Sequence, residues 1–133
     1  MAKDLDVDAI LKEFPSRFES RPSYSAAGDC VEYFFEDTDH FAERIDCWLT
    51  VYRAFDDRRV IGFKLKNVKA LVSAFDALGL DVRISKNACI IRIQPLIAFV
   101  PWVQPESANT ATYRDVLSRV VERPEETVDL MPT

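Results

Sequence analysis

Residues 44–66, RIDCWLTVYRAFDDRRVIGFKLK, decide the fold because apolar side chains alternate on both sides of an Asp/Arg turn. Before the turn one alternating set is apolar apart from Arg53, and it consists of Ile45, Cys47, Leu49, Val51 and Phe55. After the turn the apolar set is Ile61, Phe63 and Leu65. A period of two is typical of a half-buried strand. The segment therefore predicts a β-hairpin against which the rest of the chain packs.

The register of this hairpin follows from placing both apolar sets on one face of the sheet. A loop of three residues, 57–59, achieves this and pairs Val51 with Leu65. A loop of two or four residues shifts the pairing by one and moves one apolar set to the opposite face. A three-residue loop usually ends in a left-handed residue, and that position falls on Arg59. Gly62 in the second strand indicates close cross-strand packing or a bulge.

The opposite face of the hairpin carries aromatic and basic side chains, namely Arg44, Trp48, Tyr52, Lys64 and Lys66. Trp, Tyr and Arg dominate the energetics of protein interfaces, so these five residues predict an interaction face. The alternative is that a helix or a terminus of the same chain covers Trp48 and Tyr52, as is common for large aromatic residues.

The remaining elements are recognised by changes of hydrophobic period. Before the hairpin they are a helix over residues 4–14, a loop over 15–28 and a strand over 29–36. After the hairpin come a helix capped by Asn67 and followed by Gly79, and two strands over 80–84 and 88–100, whose turn at Lys86–Asn87 pairs Val82 with Ile91. The chain continues with a helix from Thr110 to before Pro124 and a mobile acidic tail over 125–133. The strand over 88–100 is apolar on both faces and contains Pro95, which predicts a bend or a free edge. It also predicts a second covering layer, either of this chain or of another subunit.

The element order α-βββ-α-ββ-α predicts a single α+β domain over residues 1–133. Strands grouped in runs, with helices segregated from them, favour an antiparallel sheet of about five strands with helices on one side. Parallel winding is disfavoured because only one helix lies between strands.

Composition excludes several classes of protein. Hydrophobic residues make up 48% and charged residues 29% of the 133 residues, as in an ordinary soluble globular protein. The net charge of −5 makes nucleic acid an unlikely partner, because phosphate contacts need a basic surface. No apolar run has the length of a membrane span, and the first residues lack the features of a secretory signal. Three cysteines without a CxxC motif indicate a reducing, cytoplasmic location.

Residues with chemical potential are few. His40 lies among acidic residues in EDTDH (residues 36–40), but no second histidine or cysteine completes a metal site, so we expect neither a metal nor another cofactor. No nucleophile stands at a diagnostic spacing from His40, and we expect no catalytic residue. Arg53 interrupts an apolar strand face, which indicates a buried carboxylate partner, a bound anion or an edge position. A pocket between sheet and helices could use Arg53, His40 or Trp102.

Residues 29–68 resemble a small bacterial family of β-meander domains of unknown function. The resemblance lies in an acidic turn followed by a strand with a glycine between hydrophobic residues, here Asp56, Asp57, Val60, Ile61, Gly62, Phe63 and Leu65. Arg58 and Arg59 in the turn, and Lys64 in place of an acidic residue, depart from the family pattern. The resemblance implies a bacterial, non-catalytic module that works beside another protein.

Two functions are compatible with these features. The first is a non-enzymatic protein-interaction module that self-associates as a homodimer, based on the face around Tyr52 and on the two-sided apolar segment 88–100. The second is a small-molecule-binding protein or an enzyme with a pocket between sheet and helices.

Overall fold

The computed structural model describes residues 18–84, 89–103 and 110–130. Its strands are β1 (Ser23–Ser25), β2 (Cys30–Phe34), β3 (His40–Arg44), β4 (Leu49–Ala54), β5 (Val60–Lys66), β6 (Ile90–Arg92) and β7 (Thr127–Asp129). Its helices are α1 (Val68–Ala77), α2 (Ile93–Val103) and α3 (Thr110–Val120). The predicted α+β class with an antiparallel sheet is confirmed. The helix predicted over residues 4–14 lies outside the described residues.

The main sheet has five strands in the order β1-β2-β5-β4-β3, and all neighbours are antiparallel. β5 is central, and its hairpin partner β4 lies beside it. Because β2 and β3 flank this hairpin, residues 35–39 must cross the ends of β5 and β4, and we call them the crossing connection. Backbone hydrogen bonds fix it at both ends, from the Phe35 N–H to the Ile61 carbonyl and from the Phe55 N–H to the Asp39 carbonyl.

The β4–β5 register differs by two residues from the predicted one. Val51 pairs with Phe63, whereas the sequence predicted Leu65, and Leu65 pairs with Leu49. A shift of two residues keeps every side chain on its own face, so the alternation of apolar residues cannot distinguish the two registers. Leu49, Val51, Phe63 and Leu65 lie on the predicted face and are buried. Cys47 and Phe55 were predicted on the same face but are exposed, because both lie in turns rather than in strands.

The turn between β4 and β5 spans residues 55–59, and its left-handed residue is Arg58 (φ 62°), where the sequence predicted Arg59. The Arg58 N–H donates to the Ala54 carbonyl and the Ala54 N–H donates to the Arg59 carbonyl. The Asp57 carboxylate accepts the Arg59 N–H at 3.0 Å. These bonds stabilise a turn longer than three residues. The pairing of β4 with β5 shifts by one residue between Tyr52 and Arg53. This shift is the bulge that Gly62 indicated in the sequence.

Strand β3 lies mostly between the predicted strand over 29–36 and the predicted hairpin over 44–66, where no strand was predicted, and residues 45–48 form a turn where the sequence predicted continuous strand. The Asp46 carboxylate accepts the backbone N–H groups of Trp48 and Leu49, both at 2.8 Å. The Ile45 N–H donates to the Leu49 carbonyl at 2.9 Å. An aspartate that satisfies N–H groups two and three residues ahead favours a turn over an extended strand. Because the alternation of apolar residues continues on both sides of Asp46, the sequence pattern did not predict this turn.

The apolar segment 88–100 was predicted to be a strand, but it is a strand only at β6 and then becomes helix α2. Four side chains of α2 have no exposed surface, namely Ile93, Leu96, Ile97 and Val100. A short run that is apolar on every side fits a buried helix as well as a buried strand. Pro95 is tolerated as the third residue of the helix, where the N–H has no intrahelical acceptor. The chain itself covers this segment, so it no longer argues for a second subunit.

Two segments predicted to be irregular contain short strands. β1 lies within the predicted loop over residues 15–28 and pairs with β2. β7 lies within the predicted mobile tail over residues 125–133 and pairs with β6. Val128 and Leu130 in this tail are buried, which anchors it to the core. Strands of three residues are too short to show a period of two, and the sequence therefore gave no signal for them.

The hairpin predicted over residues 80–93 is reduced to an antiparallel bridge between Arg83 and Ile91. The predicted pairing of Val82 with Ile91 is thus off by one residue. The continuous partner of β6 is β7 instead. The turn predicted at Lys86–Asn87 lies outside the described residues.

The core lies on one face of the main sheet, which we call the inner face. Its buried cluster combines inner-face residues with apolar residues of the helices: Val31, Tyr33, Leu49, Val51, Phe63 and Leu65 from the sheet, Val68, Leu71, Val72 and Phe75 from α1, and Tyr113, Val116 and Val120 from α3. Residues of α2 belong to the same cluster. The described helices therefore all pack on the inner face, and the opposite side is the outer face.

The start of α1 is capped by a residue other than the predicted one. Asn67 adopts the left-handed conformation and makes no side-chain cap hydrogen bond. Asp29, next to β2, supplies the acceptors instead. Its carbonyl accepts the Val68 N–H and its carboxylate accepts the Lys69 N–H, each at 3.2 Å. A residue distant in sequence therefore satisfies the first N–H groups of the helix.

Candidate functional site

The outer face of the main sheet is the first candidate site. Its residues form two neighbouring rows across the strands β2, β5, β4 and β3. The first row consists of Phe34, Gly62, Tyr52 and Ala42, and the second consists of Glu32, Lys64, Thr50 and Arg44. The first row is aromatic and small, and the second is mostly charged. An aromatic strip therefore runs beside a strip that is acidic at β2 and basic at β5 and β3.

Three rings on this face form one aromatic cluster, consisting of Phe34, His40 and Tyr52. Tyr52 stacks on Phe34 with ring centroids 4.6 Å apart and an interplanar angle of 20°. The His40 ring lies 5.1 Å from Phe34 and 5.4 Å from Tyr52. Gly62 lies between the two stacked residues in the sheet, and a Cβ there would meet the Tyr33 carbonyl oxygen at 2.7 Å and Phe34 Cδ1 at 2.9 Å. The stack therefore requires glycine at this position.

Hydrogen bonds hold the aromatic cluster in place. The Tyr52 hydroxyl donates to the Glu32 carboxylate at 2.5 Å. Burial raises the pKa of Tyr52, and the bond to Glu32 raises it further, so the hydroxyl keeps its proton near neutral pH. His40 Nδ1 lies 2.8 Å from the Thr38 carbonyl oxygen, which assigns a proton to that nitrogen. Such a fixed surface suits binding, because little side-chain freedom remains to be lost.

The structure places four of the five predicted interaction residues on the outer face. Tyr52, Lys64, Lys66 and Arg44 lie in strands with their side chains on that side. Trp48 lies in the turn before β4 and packs against the main core. Its indole Nε1 is buried and has no hydrogen-bond partner among the described residues. The chain itself therefore covers Trp48, as the alternative from the sequence proposed.

The second candidate site is a groove of about 310 Å³ between the β4–β5 turn and helix α3. Its polar lining comprises Arg53, Arg58, Arg59, Asp115, Ser118 and Arg119. We call it the arginine groove. Three of its arginines come from the hairpin and one from the helix, so the fold of the sheet against α3 creates the site.

Glu36 of the crossing connection joins the hairpin to α3. Its carboxylate accepts hydrogen bonds from the Arg59 guanidinium and from Arg119 Nη2, the latter at 3.1 Å. The bond from Arg59 is the main cause that lowers the pKa of Glu36 to about 2, with further contributions from Thr38 and Arg119 against the opposing effect of burial. Arg119 Nη1 also donates to the Val60 carbonyl at 2.8 Å. The arginines at this end of the groove are therefore held in position by an ionised carboxylate.

Arg53 and Arg58 differ in how they are paired. Arg53 Nε donates to Glu43 at 2.7 Å, and Arg53 Nη1 donates to the Arg58 carbonyl at 2.9 Å. The Arg58 guanidinium lies 5.6 Å from the centroid of the Phe41 ring and forms no ion pair with a carboxylate in the described part of the chain. Phe41 in turn lies 5.5 Å from Phe55, whose side chain is 66% exposed.

The three residues of the predicted pocket do not come together. Arg53 lines the arginine groove and His40 belongs to the aromatic cluster. Trp102 lies near the end of α2 with 77% of its surface exposed. A separate, mainly apolar cavity of about 230 Å³ lies between α2 and α3 and is lined by residues including Ile97, Pro101, Tyr113, Arg114 and Leu117.

Sequence reasoning missed Phe34, Glu36 and Arg119 as functional residues. Phe34 alternates with Glu32 and Glu36 in the predicted strand over 29–36, and Glu36 begins the acidic segment 36–40. Arg119 carried no signal, because its partner Glu36 lies 83 residues away. The prediction that Gly62 marks close cross-strand packing is confirmed.

Within the residues that the structure describes, no group of three His, Cys, Asp or Glu side chains could hold a metal ion. No helix among those residues is long and apolar enough to cross a membrane. No protein-family model, curated protein or solved structure matches the chain. The outer face and the arginine groove are therefore the basis for inferring function.

Proposed function

We propose that this protein is a non-enzymatic protein-interaction module that self-associates as a homodimer through its outer face. The observation that carries the proposal is the fixed aromatic cluster on a sheet face that the described helices leave open. Aromatic residues and arginine supply most of the binding energy in protein interfaces. Tyr52 and Arg44 on this face are residues of those types.

The charges of the outer face favour a second copy as the partner. A two-fold interface places the same patch on both subunits, so the patch must be complementary to itself. The charged row is acidic at Glu32 and basic at Lys64 and Arg44. A two-fold axis that lies in the plane of the interface, parallel to the strands, sets the acidic end of one copy against the basic end of the other. Such pairing fixes the relative orientation of the subunits.

We also propose that the module is bacterial and works in the cytoplasm. Its cysteines Cys30, Cys47 and Cys89 are free, which supports a reducing cytoplasm. The resemblance of residues 29–68 to bacterial β-meander domains supports a bacterial module that works beside another protein.

The test is a measurement of mass by light scattering over a range of micromolar concentrations. We expect a mass of twice 15.2 kDa at the upper end. Ala42 is exposed in the edge strand β3, next to Tyr52 on the outer face, and Ala42→Glu places a charge there without removing a core contact. We expect this variant to remain a monomer over the same range.

The matched control is Ala70→Glu, which introduces the same charge at an exposed position of α1 on the other side of the sheet. We expect it to dimerise like the unmodified chain. A monomeric mass for the unmodified chain at every concentration would refute self-association. Equal disruption by the two variants would refute the outer face as the interface.

A further inference from the structure

The lining of the arginine groove has an excess of positive charge. Four arginines line it, and the one carboxylate in its described lining is Asp115. The carboxylates that pair with its arginines lie outside that lining; they are Glu43 for Arg53, Glu36 for Arg119, and Glu36, Asp56 and Asp57 for Arg59. A lining with an excess of one sign of charge attracts ligands of the opposite sign.

Hydrogen-bond donors remain available in this lining. A guanidinium carries five N–H groups. Arg53 uses Nε and Nη1 for Glu43 and the Arg58 carbonyl, which leaves Nη2. The Arg58 side chain has no hydrogen bond to another described residue and contacts the ring of Phe41. The bonds of Glu36 to Arg59 and Arg119 meanwhile fix the opposite side of the groove.

We propose that the arginine groove binds the phosphate group of a small phosphorylated molecule. Guanidinium groups match the geometry of phosphate oxygens and bind them in bidentate fashion. In the described part of the chain, the Arg58 guanidinium and Nη2 of Arg53 have no hydrogen-bond partner and supply the donors. Arg59 and Arg119 are fixed in position by their carboxylate partners. A volume of about 310 Å³ is at the lower end of the range for small-molecule sites, which leaves room for a compact group beside the phosphate. This inference is independent of dimerisation through the outer face.

The experiment is an NMR titration of the full chain with inorganic phosphate, compared with chloride at matched ionic strength. We expect saturable chemical-shift changes of the backbone amides in residues 53–60 and 115–119 with phosphate and none with chloride. Arg58→Asn removes the guanidinium, and asparagine tolerates the left-handed conformation that Arg58 adopts. We expect this variant to bind phosphate about tenfold more weakly, since it loses a charge-assisted hydrogen bond.

Two further variants make the result specific. Arg114 is exposed on α3 and lines the cavity between α2 and α3, so Arg114→Gln should leave phosphate affinity unchanged. Asp115→Asn removes the negative charge of the lining and should tighten binding. Absence of saturable shifts with phosphate, or equal weakening by Arg58→Asn and Arg114→Gln, would overturn the proposal. Tighter binding to Asp115→Asn together with weaker binding to Arg58→Asn would support it.

Discussion

The two faces of the main sheet are built from the same strands but are stabilised in different ways. On the inner face Val51 and Phe63 are fully buried and are held by close packing against three helices. On the outer face Tyr52 and Phe34 are only half-buried, and they are held by ring stacking and by the hydrogen bond to Glu32. The inner face is thus stabilised by close packing that fills the core, whereas the outer face is stabilised by a few specific contacts.

The two faces are therefore expected to contribute unequally to the stability of the fold. Loss of packing on the inner face leaves a cavity, which costs several kcal/mol in most cores. The outer-face residues Tyr52 and Phe34 bury less apolar surface, so we expect their contacts to contribute less to stability. Under the proposed function, the hairpin serves stability and binding through alternate residues of the same strands.

The largest expected effect tests the inner face. Phe63→Ala should lower the free energy of unfolding by about 3–5 kcal/mol, because Phe63 has no exposed surface and its removal leaves a cavity. Urea denaturation at neutral pH measures this change. Phe34→Ala is the matched substitution on the outer face and should cost clearly less, since its ring is half-buried. Equal losses for the two variants would contradict the distinction between the faces.

A smaller effect is expected at Gly62, beneath the aromatic cluster. Gly62→Ala should destabilise the fold by about 1–3 kcal/mol, because its Cβ would lie 2.7 Å from the Tyr33 carbonyl oxygen, and a backbone atom cannot move away cheaply. Thermal or urea unfolding measures the loss. At Gly28 the nearest atom to an added Cβ is the Cys30 sulfur at 3.3 Å, so Gly28→Ala should cost less. A neutral Gly62→Ala would show that the stack has room to shift.

The smallest effect is expected at the crossing connection. Glu36→Gln should lower stability at pH 7 by about 1–2 kcal/mol, because it weakens the hydrogen bonds from Arg59 and Arg119. The pKa of Glu36 is about 2 in the folded protein and 4.5 for an unperturbed glutamate. A lowered pKa stabilises the fold above the unfolded value, and this contribution is lost as pH falls toward the folded value.

The difference in unfolding free energy between the unmodified chain and Glu36→Gln should therefore shrink as pH falls from about 4.5 to about 2. Urea denaturation across this range measures it. Asp37→Asn removes an exposed carboxylate from the same connection and serves as the control, with little change expected at any of these pH values. A difference that stays constant with pH would show that the charge of Glu36 does not account for the effect.

The sequence predicted the burial of the hairpin residues that lie within strands, but it predicted neither their register nor the exposure of Cys47 and Phe55 in the turns. Val51 and Phe63 were placed on the correct face, because burial follows the period of two. The partner of Val51 could not be predicted, since pairing with Phe63 or with Leu65 satisfies the same alternation. Helix α2 was missed for a related reason, because a short segment that is apolar on every side shows no period.

The candidate sites were predictable only where local sequence determined them. Tyr52 and Lys64 follow from alternation within one hairpin. The arginine groove needs Arg119, which reaches Glu36 across the fold, and no local pattern links the two residues. Phe34 joins Tyr52 because β5 places a glycine between them, and this follows from strand order, which the sequence did not reveal.

The strand order also has a consequence for how a growing chain acquires structure. Within the main sheet, β5 is made last and yet occupies the middle. Until Val60–Lys66 has left the ribosome, β1–β2 and β3–β4 are two separate hairpins with no backbone bond between them, and an isolated hairpin is barely stable in water. Synthesis of this one strand joins both halves at once, so native structure in the main sheet arises abruptly rather than strand by strand.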